Sequence, residues 1–256
     1  MARVNLPELM DQPWCPDAIR EEITASLRHI ESIFDPFRVM VPRIGELLAL
    51  AETRRIVDLC SGAGGPAIDV ARHLHDQGEP AELVLTDIFP NRAAAEADRA
   101  GHRWWPTPVN AAQVPAGLGG VRTVFNALHH LDPEVVVEIL RDAAAHRAPF
   151  LSVEVVHRSP RGVIHSTAIG LGAWPLSWLR PWTLRTLGLC AVVPVVPLLL
   201  IWEGFASCLR SYGEDELVRL AREASVPGYQ FTVGRTPTWV PAMSLRWLEG
   251  RPVGPP

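Results

Sequence analysis

The chain has 256 residues, 48% of them hydrophobic, and a formal net charge of -4. That balance suits one globular domain with insertions and gives no electrostatic footprint for nucleic acid. Every basic side chain is arginine and there is no lysine, which excludes a Walker-type phosphate loop, a pyridoxal-phosphate Schiff base and a Tyr-x-x-x-Lys hydride-transfer site.

Four cysteines, Cys15, Cys60, Cys190 and Cys208, are scattered with no CxxC pair. They read as free thiols of an intracellular, cytoplasmic protein without structural zinc. The first residues, MARVNLPELMDQPW, lack the apolar core of a signal peptide.

Residues 1–52 read as an N-terminal helical segment. Pro16 and Asp17 stand at a helix start, and Ile19, Ile23, Leu27, Ile30 and Phe34 follow at spacings of three and four. Asp35-Pro36 breaks that helix, and residues 41–50 offer a second amphipathic one. The segment 53–158 then alternates strands with helices. Residues 56–59 form a short apolar run, and Gly62, Gly64 and Gly65 give a tight turn. Pro66 follows at a first helical turn. Residues 83–86 read as a second strand ending in Asp87, followed by an alanine-rich helix capped by Asn91. Residues 103–109 read as a third strand and 121–125 as a fourth, before a helix with Asp132 at its cap and Pro133 at its first position. Residues 150–156 read as a fifth strand. Such alternation predicts a parallel sheet with helices on both faces.

The pattern stops over 159–205, a stretch rich in tryptophan and proline with an apolar run at 187–202. Prolines 194 and 197 interrupt that run, and it is short for a membrane span. It reads as a cap over an apolar pocket, with a membrane-surface contact through 184–205 as the alternative. Trp174, Trp178 and Trp182 repeat every four residues, as one helix face requires. Regularity returns over 206–249 with a helix at 213–224 and two closing strands at 229–233 and 243–248. The tail, 250–256, reads as disordered.

Strand, glycine turn and helix together leave free backbone N–H groups and a positive helix end facing one point, which describes a cradle for a nucleotide-type cofactor. Gly62-x-Gly64-x-x-Ala67 matches a dinucleotide fingerprint, with Asp87 twenty residues beyond Ala67. An acid there reports a ribose, with either NAD or S-adenosylmethionine attached to it.

The motifs IVDLCSGAGG, LTDIFPN, VNAAQVP and VRTVFNALHHLDPE resemble, in order and spacing, those of class I S-adenosylmethionine-dependent methyltransferases of the small-molecule type. The likeness runs over 54–156 and the last forty residues or so. It implies an α/β, Rossmann-like sheet, mostly parallel with an antiparallel terminal strand, plus an N-terminal helical segment and a helical insertion after strand five. Carried over by position, Asp58 and the turn Cys60, Ser61, Gly62 and Gly64 meet the amino-acid part of S-adenosylmethionine. Asp87 accepts the ribose hydroxyls, Ile88 packs on adenine, Asn110 and Ala111 lie at the adenine edge, and Asn126 lies beside the methionine portion. Cys60 departs from the family's first glycine and Asn110 from its usual aspartate; Asn110 keeps a side-chain oxygen acceptor.

Methyl transfer needs positioning and removal of the acceptor's proton. Candidates at the carboxyl ends of strands are His129, His130, Glu154 and His157. Asp132 is close enough in sequence to orient either adjacent histidine, and burial would raise the pKa of Glu154 toward that of a useful base. No His–carboxylate spacing suggests a metal site. The expectation is an S-adenosylmethionine-dependent methyltransferase acting on a small, mainly apolar molecule in secondary metabolism. Two readings stand beside it: an NAD-dependent oxidoreductase, and a cofactor-binding protein of the same fold that does not methylate.

Overall fold

The computed structural model describes residues 2–177 and 183–254. They form two compact units: a helical unit built from residues 1–35 and 156–212, and a sheet unit built from 36–155 and 213–256.

The sheet unit has seven strands in the order β3-β2-β1-β4-β5-β7-β6. These are β1 (Arg55–Asp58), β2 (Glu82–Leu85), β3 (Arg103–Trp104), β4 (Val121–Phe125), β5 (Phe150–Glu154), β6 (Tyr229–Pro237) and β7 (Ser244–Pro252). β1 to β5 pair in parallel, whereas β7 runs antiparallel to both β5 and β6. This is the Rossmann-like methyltransferase sheet that the motifs imply. All residues of the central strands β4 and β5 are buried, as expected of parallel strands covered on both faces. Right-handed crossovers put α3 (Gly65–Asp76), which links β1 to β2, and α5 (Pro133–Ala145), which links β4 to β5, on opposite faces.

On the α3 side, α2 (Val41–Leu50) adds Val41, Ile44, Leu47 and Leu48 to a core shared with Val70 and Leu74 of α3 and Ile56 of β1. Phe37 meets Phe125 edge-to-face with ring centroids 5.6 Å apart. α9 (Glu214–Glu223) is the last helix of this unit, with three acids in its first turn and Arg222 in its last, a charge order that suits the helix dipole.

β1, β2, β4 and β5 fall within two residues of their expected bounds, and the larger differences are in the other strands. β3 ends at Trp104 rather than near Val109, because Pro106 and Pro108 have no N–H for the ladder. β6 continues to Pro237, since a hairpin with β7 lets it pair as far as Ser244. β7 continues to Pro252, so Gly250 and Arg251 belong to a strand opposite Phe231 and Gln230, not to a loose tail.

The helical unit contains α1 (Asp17–Phe34), α6 (Pro160–Ser177), α7 (Leu184–Thr186) running into a π-helical turn at Leu187–Val192, and α8 (Val195–Arg210). Ile23 and Ile30 of α1 share a core with Cys190, Val196 and Leu200. Residues 4–10 are strapped to α8: Val4 N–H donates to the Leu209 carbonyl at 3.1 Å, and Leu9 and Met10 N–H both donate to Glu203 Oε1 at 2.8 and 3.0 Å. Trp174 lies within α6, while Trp178 and Trp182 lie outside the described residues.

Under the sheet, Arg122 of β4 donates to Asp142 Oδ2 of α5 at 2.6 Å, and the Val114 N–H shares that oxygen at 3.3 Å. Burial pushes the Arg122 guanidinium down from its usual range, with the neighbouring carboxylate opposing it. Removing one member of such a pair strands the other charge in the interior. Asp142→Ala is therefore expected to cost about 3–5 kcal/mol of stability, read as a lower urea midpoint than that of the wild-type protein.

Candidate functional site

The turn after β1 is stitched to the end of β2. Leu59 N–H donates to the Thr123 carbonyl at 2.8 Å, which carries the strand pairing past Asp58. The Ser61 N–H then bonds the Thr86 carbonyl at 3.0 Å, and the Ser61 hydroxyl donates to the Asp58 carbonyl at 2.9 Å while accepting the Thr86 N–H at 3.1 Å. Gly62 N–H donates to Asp87 Oδ2 at 2.9 Å, and Phe89 N–H donates to Asp87 Oδ1 at 2.9 Å. Both carboxylate oxygens are thus aimed by backbone donors, with lone pairs left for further hydrogens.

Positive φ at three alternate residues turns the chain here: Cys60 at 57°, Gly62 at 54° and Gly64 at 84°. A Cβ on Gly64 would come within 2.5 Å of Ile68 Cδ1 and 3.2 Å of Trp104, and its φ favours glycine; one on Gly62 would meet nothing within 4 Å. Cys60 adopts the left-handed conformation a glycine reaches without strain, at a cost of about 1 kcal/mol. Its thiol is pushed up to about 12, first by burial and then by the charges of Asp87 and Asp58. It stays protonated and unreactive at neutral pH.

A cavity of about 300 Å³ opens against this turn. Ser61, Gly62 and Asp87 line it with Arg92 of α4 (Arg92–Ala97), Trp104 and Trp105. The tryptophans and Arg92 were not among the expected site residues. The signal that could have found them is the doublet Trp104-Trp105 leaving a strand adjacent to the one that ends in Asp87. Trp104 is held by its indole N–H on Asp98 Oδ2 at 3.0 Å, an oxygen that also receives the His102 N–H at 2.9 Å. Burial would raise the Asp98 carboxyl, but these bonds and one from the Ala100 N–H hold it below the usual range.

Ile88 and Phe89 are exposed beside Asp87. Val109 N–H bonds the Asp87 carbonyl at 2.9 Å, which brings Asn110 and the buried Ala111 to the same end of the sheet; Asn110 Oδ1 accepts the Ala112 N–H at 2.9 Å. Asn126, with φ of 50°, turns the chain after β4, and its Oδ1 accepts the Val155 N–H at 2.9 Å.

Two buried carboxyls flank this end with opposite outcomes. Asp58 is pushed up to about 7, chiefly by burial and also by the Asp87 charge, against hydrogen bonds from Thr123, at 2.6 Å, and Ser61. Glu154 is equally buried, yet its pKa is lowered, opposite to the sequence-based expectation. Burial is the largest influence on it and acts upward. The charge and hydrogen bond of His129, the charge of His130 and the Leu128 N–H together overcome that effect. Glu154 Oε1 takes the Leu128 N–H at 2.8 Å and Oε2 meets His129 Nδ1 at 2.7 Å. The acid that the His129 ring meets is therefore Glu154; Asp132 stands at the α5 N-cap without a side-chain cap bond. His130 stacks on His129 with centroids 4.2 Å apart. His157 belongs to the helical unit, where its carbonyl accepts the Ser159 N–H at 2.8 Å.

No protein-family model and no curated protein matches this chain. Solved structures do. The plantazolicin methyltransferase BpumL, solved with SAH, shares 12% identity at a TM-score of 0.60, covering 96% of this chain and 95% of its own. The pyocyanin biosynthetic protein PhzM shares 17% identity at a TM-score of 0.53. The O-methyltransferase NcsB1 of neocarzinostatin biosynthesis, solved with S-adenosylmethionine and 2-hydroxy-5-methyl naphthoic acid, shares 17% at 0.52. Each of these two matches covers 93% of this chain but only 59% of the larger protein. The chain has the fold of class I methyltransferases.

Asp58 gives the site a pH signature. The folded carboxyl titrates near 7 and the unfolded one near 3.8, so between those values the folded state binds the extra proton. Stability then falls as pH rises through that window and levels off above it, by about 4 kcal/mol in total for this group. Asp58→Asn is expected to flatten the fall, as read from urea midpoints at pH 5, 6, 7 and 8 for both proteins; parallel curves would remove Asp58 as its source.

Proposed function

We propose that this protein is an S-adenosylmethionine-dependent methyltransferase acting on a small, mainly apolar acceptor in secondary metabolism. The observation that carries the reading is the bond from Gly62 N–H to Asp87. It joins a glycine turn to a strand-terminal carboxylate beside an open cavity, on a fold shared with structures solved with SAH or S-adenosylmethionine.

The residues present fit the cofactor. Gly62 leaves open space where a side chain would intrude, so a ligand can approach the backbone closely. Asp87 keeps acceptor capacity for a ribose diol, and Ile88 offers an exposed apolar side chain for an adenine face. Asn110 and Ala111 mark the adenine edge, and Asn126 stands at the end of β4 for the methionine portion. Cys60, Ser61 and Gly64 shape the turn around the amino-acid portion. Asp58, neutral or charged near pH 7, would ionise beside the cofactor's cationic groups. When bound, the cofactor supplies a methyl group made electrophilic by its sulfonium.

His129 is the proposed base. Glu154 Oε2 meets its Nδ1 at 2.7 Å, which fixes the ring's orientation and, with the proton on Nδ1, makes Nε2 the basic nitrogen. Glu154 thus serves as the orienting anion, a role its lowered pKa suits. His130 packs the ring and His157 stands in the helical unit; neither is given a proton-transfer role by these contacts.

Titration calorimetry with SAH tests the reading, and absence of binding would overturn it. Asp87→Ala is expected to weaken SAH by about 2–4 kcal/mol, from loss of charge-assisted bonds. Gly62→Val should remove binding while circular dichroism stays native, because the side chain enters the cavity on a strained φ. His129→Ala should keep SAH affinity but lower kcat by roughly 10²–10⁴-fold once an acceptor is in hand.

A further inference from the structure

We propose that Trp104 is a cofactor-contacting residue, a preset aromatic wall on which the ribose of S-adenosylmethionine seats, and that Asp98 is the positioning residue that fixes it. The proposal rests on the S-adenosylmethionine reading of this site and adds two residues that none of its motifs carries. The indole is held at both ends. Its N–H donates to Asp98 Oδ2 at 3.0 Å. Its opposite edge lies on the glycine turn, with Cη2 3.2 Å from the place where a Gly64 side chain would begin. The ring thus reaches from β3 to the turn that follows β1, although β2 lies between those two strands. Behind it the ring packs against the core that contains Val70, Leu74 and Leu85. The next residue is fixed as well, Trp105 N–H donating to the Leu85 carbonyl at 2.9 Å. An aromatic surface pinned in this way has little freedom left to lose on binding.

Asp98 is itself anchored. Its side chain is 8% exposed. Oδ1 accepts the Ala100 N–H at 2.9 Å, while Oδ2 accepts the His102 N–H at 2.9 Å and meets His102 Nδ1 at 3.0 Å. A carboxylate makes the stronger, charge-assisted kind of bond to an indole N–H. Asp98 does not line the cavity, so its influence on a ligand there passes through the Trp104 ring. The lining selects the ribose. Asp87, assigned to the ribose, lines the cavity; Asn110, at the adenine edge, and Asp58 and Asn126, at the methionine end, do not. The Asp87 carboxylate accepts hydroxyl hydrogens and repels the carboxylate of an amino acid. Leu85, Pro106 and the two indoles add apolar surface beside it. A ribose matches both, with hydroxyls on one edge and C–H groups on its ring face that pack on an indole.

The experiment is titration calorimetry of the full-length protein with SAH and with adenosine, on the wild type, Trp104→Ala, Trp104→Phe, Asp98→Ala and the double variant Asp98→Ala with Trp104→Phe. Circular dichroism confirms that each is folded, and Trp104→Phe, which keeps most of the packing against the core, carries the test if Trp104→Ala does not fold. Trp104→Ala is expected to weaken SAH about ten-fold or more through lost apolar contact. Trp104→Phe, which has no N–H for Asp98, should weaken it by a smaller factor of about three-fold. Adenosine should lose the same factors as SAH, because it carries the same ribose. Asp98→Ala should weaken SAH in the wild-type background and add nothing in the Trp104→Phe background, the coupling expected of a residue that acts through the indole. No SAH binding by the wild type would remove the S-adenosylmethionine reading and this proposal with it. Wild-type binding that both Trp104 variants leave unchanged would overturn this proposal alone. Adenosine affinity indifferent to Trp104 would overturn the ribose contact, and an equal cost of Asp98→Ala in both backgrounds would overturn the positioning role.

Discussion

The Gly62 N–H to Asp87 bond is the constraint on which the sheet unit's carboxyl end depends. It fixes the height of the glycine turn against β2 and, in the same step, the direction of the carboxylate. The Asp87 carbonyl then takes the Val109 N–H, so the loop after β3 is anchored to the same residue. Through Asp87 three connections, each arriving from a different strand, are brought to one place. A carboxylate held only by its own rotamer would search several orientations; held by two backbone donors, it has already lost that freedom before any ligand arrives.

Asp58 and Glu154 show how little burial alone decides. Both carboxyls are out of contact with water at the ends of β1 and β5. Asp58 meets a hydroxyl from Thr123 and the field of another acid, so desolvation prevails. Glu154 meets an imidazole, a second ring behind it and a backbone N–H, so desolvation is overcome. The residue type and its strand-end position are identical in kind; the neighbours, contributed by β4 and the turn after it, reverse the sign.

Those neighbours explain what could be read from the sequence. Helix α1 was legible to its ends because its apolar residues keep strict spacing and Asp35-Pro36 stops it. β1, β2, β4 and β5 were legible within a residue or two, each being a short apolar run before a turn signal. The turn Cys60 to Gly64 and Asp87 were recognisable as a pair because the motif fixes their spacing. The Glu154–His129 contact was not, since it joins residues 25 apart whose meeting depends on the register of β4 and β5. Trp104 and Trp105 escaped for a related reason. Their run reads as ordinary strand, and nothing in it marks both rings as lining a cavity beside Asp87.

The helical unit obeys a different rule, which accounts for its weaker sequence signal. α6 and α8 are apolar on more than one side, because one face builds the unit's core while the other remains exposed. A helix with two apolar faces loses the polar stripe from which periodicity is read. Gly170 and Gly204 then let α6 and α8 approach closely: a Cβ on Gly170 would come within 2.6 Å of Ile201, and one on Gly204 within 2.9 Å of Ser166. Tight packing between the two helices thus stands beside the exposed side chains of Ile164, Leu171 and Leu198 on the same pair.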